Sequence, residues 1–84
     1  MLIAGKLYKY NKARKVYVDL ANSQTVDDVE QDEPFVFLER KVLKWVEAYK
    51  VLTINGVVGW IHIGYPEEIE PVGENYVELQ SIQE

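Results

Sequence analysis

The stretch Trp45-Val-Glu-Ala-Tyr-Lys-Val-Leu-Thr-Ile-Asn-Gly-Val-Val-Gly-Trp-Ile-His-Ile63 decides how this chain folds. Two runs rich in β-branched and aromatic residues flank Asn55-Gly56. Both of these residues tolerate a positive φ, which a two-residue type I′ turn demands, so the segment reads as a β-hairpin. Such a turn sets Ile54 opposite Val57, Val51 opposite Trp60 and Tyr49 opposite His62. Side chains alternate across a sheet, so two faces follow. One is expected to carry Val46, Ala48, Leu52, Ile54, Val57, Gly59, Ile61 and Ile63, with Lys50 as its misfit, and to form the interior. The other carries Trp45, Glu47, Tyr49, Val51, Thr53, Val58, Trp60 and His62. Large rings with polar tips bury area at little rotamer cost, so this second face is a candidate binding surface.

The flanking sequence adds further strands. Leu2 to Tyr10 and Lys15 to Leu20 suit half-buried pleats and are expected to pair with each other. Ala21 to Glu33 is acidic, lacks a clear period and reads as a long surface loop. Phe35 to Glu39 is a strand, Glu39 to Lys44 a connection, and Ile69 to Val72 a short last strand whose Pro71 needs a sheet edge. Pro66 to Glu68 suits one turn of 3₁₀ helix. No long helix is credible, so the chain is all-β. Residues 1–72 are expected to form the barrel. Residues 73–84 are expected to form a C-terminal extension whose Tyr76, Val77, Leu79 and Ile82 suit docking on it.

At 84 residues the chain is the size of one domain with a thin core. The absence of cysteine removes disulfides, thiolate metal sites and cysteine nucleophiles, and suits a cytoplasmic setting. The opening apolar run is too short for a signal peptide, and no stretch approaches the roughly 20 apolar residues that span a bilayer. The net charge of −5 is unevenly placed. Lys6, Lys9, Lys12, Arg14 and Lys15 precede an acidic cluster of Asp27, Asp28, Glu30, Asp32 and Glu33. Overall acidity argues against a grip on phosphate backbones, and the basic start reads as a solvated patch. A lone histidine, His62, forms no zinc cluster, and the two serines, Ser23 and Ser81, have no spaced triad partners. The acidic cluster lacks the central glycine of a calcium loop. The expectation is therefore a chain without enzymatic activity or cofactor.

The order Leu7-Tyr8-Lys9-Tyr10, an acidic segment, Glu33-Pro-Phe-Val-Phe-Leu38, Trp45-Val-Glu-Ala48, Asn55-Gly56, Gly59-Trp-Ile61 and Ile69-Glu-Pro-Val72 resembles an SH3-type domain. A looser likeness is to short SH3-like proteins encoded in phage genomes. The resemblance implies a small barrel of about five strands, and the long acidic loop before Pro34 makes this chain longer there than the family usually is. The resemblance also implies a groove for proline-rich peptides between aromatic rings. By position, the groove would use Tyr8, Tyr10, Trp45, His62 and Tyr65, with Asp28 and Glu30 in the acidic loop selecting a basic ligand residue. His62 stands where the family has a proline. The leading functional expectation is thus a module binding a protein or peptide through an aromatic patch. The alternative is a structural or assembly subunit that associates, including with its own copies, through sheet edges and the C-terminal extension.

Overall fold

The hairpin around Asn55-Gly56 forms, but its loop is one residue longer than a type I′ turn allows. The computed structural model describes residues 2–21, 24–44, 46–64 and 69–72. In it, Thr53 N–H donates to Val57 O at 2.8 Å and Gly56 N–H to Thr53 O at 3.0 Å. Gly56 has φ +79°, while Asn55 keeps a negative φ. This is the three-residue loop in which a turn is followed by a left-handed glycine.

The extra residue moves the register. Leu52 lies opposite Val58, Val51 opposite Gly59, Tyr49 opposite Ile61 and Glu47 opposite Ile63. A slip of one residue turns a whole strand over. Gly59, Ile61 and Ile63 face the interior as expected. On the partner strand the barrel-facing residues are Glu47, Tyr49 and Val51, not Val46 and Leu52; Ala48, on the other face, is also fully buried. The expected pairing and the expected inner face of that strand are both corrected by the turn.

The described residues hold seven strands, not about five: β1 (Leu7–Lys9), β2 (Arg14–Tyr17), β3 (Thr25–Val29), β4 (Phe35–Val42), β5 (Val46–Leu52), β6 (Val58–Gly64) and β7 (Glu70–Pro71). They form one antiparallel sheet in the order β3-β2-β6-β5-β4-β1-β7. The sheet curls into a small half-barrel. Two expected loops are partly strand. The acidic segment 21–33 contains β3, and the connection 39–44 is largely the second half of β4. The first two strands do not pair with each other. Instead β1 lies between β4 and β7, and β2 lies between β3 and β6. The short last strand is present, with Pro71 on the sheet edge where a missing N–H costs no ladder bond. The expected 3₁₀ turn and the C-terminal extension lie outside the described residues.

β2 and β6 approach closely, joined by the single pair Tyr17–Trp60. Gly59 permits this: a Cβ there would lie 2.5 Å from Val16 Cγ1 and 2.7 Å from Tyr17 O. The enclosed core is Tyr8, Tyr10, Val16, Val29, Phe35, Phe37, Tyr49, Val51, Ile61, Ile63 and Ile69. Its rings meet edge to face, Tyr8 on Phe37 at 5.8 Å and Phe37 on Tyr49 at 5.7 Å, the arrangement that ring quadrupoles favour.

Candidate functional site

The strands draw two of the five aromatic candidates inward. Tyr8 is 4% exposed and Tyr10 1%. The hydroxyl of Tyr8 accepts the N–H of Ile3 at 2.8 Å. Tyr10 lies beneath Arg14, whose guanidinium carbon is 5.0 Å from the ring centre. Arg14 also donates from Nε to the carbonyl of His62 at 3.1 Å and from Nη2 to the Tyr10 hydroxyl at 3.4 Å. Tyr10 and His62 are therefore linked through Arg14, not side by side on a surface. His62 itself sits half-buried on the outer face, edge-on to Tyr17 at 5.9 Å. Its Nδ1 is buried without a hydrogen-bond partner among the described residues. Burial pushes its pKa below the ordinary histidine value, because the charged form loses solvation. Trp45 and Tyr65 lie outside the described residues.

The two acidic candidates are on the surface. Asp28 on β3 faces Lys15 on β2 at 3.7 Å, with both side chains largely exposed. Asp28 and Glu30 line an open depression of about 280 Å³ with Ala13, Arg14, Lys15 and Val29. Their neighbour Asp27 has a structural task. It accepts Thr53 Oγ1–H at 2.6 Å, Asn55 Nδ2–H at 3.2 Å and the Asp28 N–H at 2.8 Å, so it ties β3 to the tip of the β5–β6 hairpin. These donors hold its carboxyl below the usual aspartate range, the Thr53 hydroxyl contributing most. At the opposite end, the nearly buried Glu47 accepts from the Tyr49 hydroxyl and from Arg40, which compensates its charge. Among the described residues no group of three or more His, Asp or Glu side chains could hold a metal ion. No described helix is long and apolar enough to cross a membrane.

What the fold leaves open is backbone. β4 pairs with β5 up to Val42–Glu47, but with β1 only at Phe35 and Val36, extended by bonds of Phe37 to Gly5 and Lys6. Glu39 to Val42 therefore overhang β1, with no described residue paired to that side. Leu43 N–H donates to Val46 O. The alternation of an antiparallel ladder then turns the backbone groups of Val42 and Arg40 away from β5, toward the open side. All four overhanging residues are exposed, and Val42 is 69% exposed. The second opening is the outer side of β3, which among the described residues has only β2 as a neighbour.

The overhang leaves no signal in the sequence, because no face of it is buried. Glu39-Arg-Lys-Val42 has no apolar period, and its strand character comes from the partner β5. Comparison of the chain with protein-family models, with curated proteins and with solved structures gives no match.

Proposed function

We propose that this chain is a non-catalytic assembly module that associates through the open edges of its sheet. The observation that carries this reading is the overhang Glu39–Val42, a strand segment paired to β5 on one side and to no described residue on the other. An unpaired row of N–H and C=O groups is a template for another strand, and natural proteins usually blunt such rows. The β7 edge is blunted, being two residues long and containing Pro71. The overhang carries no proline, and its exposed valine adds apolar area. Support for a peptide groove is weaker, because Tyr8 and Tyr10 spend their rings on the core. The resemblance to SH3-type domains fits the curled all-β sheet, and it is compatible with either mode of interaction.

The test is sedimentation of the intact chain from micromolar to near-millimolar concentration, paired with amide exchange at Arg40 and Val42. The expected result is a mass that rises with concentration while these two amides slow. A chain that stays monomeric, with both amides exchanging freely throughout, overturns self-assembly and returns the peptide-binding reading to first place.

A further inference from the structure

We infer that the strand that docks on the β4 overhang is β3 of a second copy of this chain, so that copies join head to tail. The inference rests on the assembly reading above and names its partner. Its first support is charge. The overhang carries Arg40 and Lys41 against a single Glu39, whereas β3 and the residue after it carry Asp27, Asp28 and Glu30 with no cation. Arg40 is already paired with the nearly buried Glu47, so the charges free to exchange are Asp28 and Lys41, with side chains 61% and 50% exposed. Their present partners, Lys15 and Glu39, are held at 3.7 Å in exposed, loose pairs that cost little to exchange.

The second support is direction. Four antiparallel steps separate β3 from β4 in the order β3-β2-β6-β5-β4, so the two strands run the same way. Two copies set side by side in one orientation therefore bring β3 of one parallel to the overhang of the other. Asp27-Asp28-Val29 then lies along Arg40-Lys41-Val42, acid beside base and valine beside valine.

The third support is the hydrogen-bond inventory. Asp28 N–H is already taken by Asp27 Oδ1 at 2.8 Å, so it does not go to β2, and the edge of β3 offers its carbonyl there. The overhang offers the N–H groups of Arg40 and Val42. Pairing like with like is worse in charge, since β3 on β3 sets carboxylates against carboxylates and β4 on β4 brings two basic segments together. An interface made from two different patches is heterologous, and it continues until rotation closes a ring or forms a filament.

The experiment uses two variants of the full chain, each blocking one edge. Val42→Pro removes an N–H that points away from β5, so it disables the overhang and spares the sheet. Asp28→Lys with Glu30→Lys reverses the charge on β3 at exposed positions. Sedimentation velocity is run on the parent chain, on each variant alone and on their equimolar mixture, with circular dichroism to check folding. The parent is expected to form a concentration-dependent series that retreats as salt is raised. Each variant alone is expected to associate roughly a hundredfold more weakly, through like-charge contact or a lost ladder bond. The mixture is expected to stop at a one-to-one heterodimer, because one intact edge remains on each side. Should Val42→Pro fail to fold, Lys41→Glu takes its place, and its mixture with the β3 variant is expected to restore the parent series by charge exchange. If the β3 variant alone associates like the parent, the overhang pairs with its own copy and the head-to-tail inference falls while assembly stands. A mixture that behaves as the sum of its components also overturns the inference. A parent chain that never associates overturns both this inference and the assembly reading.

Discussion

At Gly59 an added methyl group has nowhere to go. Its Cβ would meet the backbone oxygen of Tyr17 at 2.7 Å as well as Val16 Cγ1 at 2.5 Å, and a backbone oxygen in a paired strand cannot step aside. Gly59→Ala is therefore expected to lower stability by about 1–3 kcal/mol, the usual range for an overpacked core. At Gly64, by contrast, nothing lies within 4 Å of the added carbon. Gly64→Ala on the same strand is expected to stay within about 0.5 kcal/mol of the parent. Urea unfolding of both variants checks the pair, and equal midpoints would remove the close approach of β2 and β6 as the cause. Two titrating residues give separable pH windows. His62 has a folded pKa lowered by burial from 6.5, so the unfolded chain binds its proton first. Stability is then expected to be full above pH 6.5 and to fall as pH drops from there to the folded value. His62→Gln should flatten that slope. Asp27 also has a lowered folded pKa, but as an acid its contribution is present above its ordinary 3.8 and lost as pH falls through the folded value. Asp27→Asn should abolish that second, more acidic slope and leave the first intact. Thermal midpoints across pH measure both.

At the scale of the element, one residue in a turn decided more than any side chain in a strand. Asn55-Gly56 correctly signals a hairpin between β5 and β6. Whether Asn55 also takes a positive φ depends on what holds the tip, and that information lies elsewhere in the chain. Thr53 Oγ1 accepts the N–H groups of Asn55 and Val57, both at 3.2 Å, while donating to Asp27 across the sheet. This clasp stabilises the three-residue loop, with only Gly56 left-handed. The local sequence could therefore give the inner face of β6 but not that of β5, whose parity hangs on the loop. Gly56→Ala is expected to cost about 1–2 kcal/mol through its left-handed backbone. Asn55→Ala should cost less, losing only an exposed bond to Asp27. A larger loss at Asn55 than at Gly56 in denaturant titration would restore the type I′ turn. The candidate site was hidden for a related reason. β3 places two adjacent aspartates where strand propensity is poor, and the overhang of β4 buries neither face. Each becomes a strand only because β2 or β5 supplies a ladder, which single-residue preference does not register.

At the scale of the whole molecule, the sheet has an interior and two unequal margins. β5 is flanked by β4 and β6 over its whole length, and Tyr49 and Val51 lie in the core with at most 1% exposed. Its amides cannot open without separating the hairpin from both neighbours, which amounts to unfolding the domain. β3 depends on β2, and β2 reaches β6 through the single ladder pair Tyr17–Trp60 and the Arg14 bond to the His62 carbonyl, while Asp27 on β3 clasps Thr53. The β2–β3 ribbon is thus the unit most easily lifted from the rest, held by the Val16 contact over Gly59 and by Arg14 on Tyr10. Native-state amide exchange in dilute solution should follow this order. Amides of β5 are expected to report the global stability, about 4–12 kcal/mol for a chain of this length. Those of β2 and β3 should report a smaller opening energy, and Arg40 and Val42 should show almost no protection. Asp27→Asn should lower protection in β2 and β3 selectively, because it unties the ribbon from the hairpin tip without touching the core. Equal protection of β3 and β5 would mean that the sheet opens as one unit, with no separately stable ribbon to present its edge. An assembly built on β3 makes a further demand of this gradient. Raising the concentration should stiffen the weakest margin first, raising protection in β3 and at Arg40 and Val42 while β5 stays unchanged.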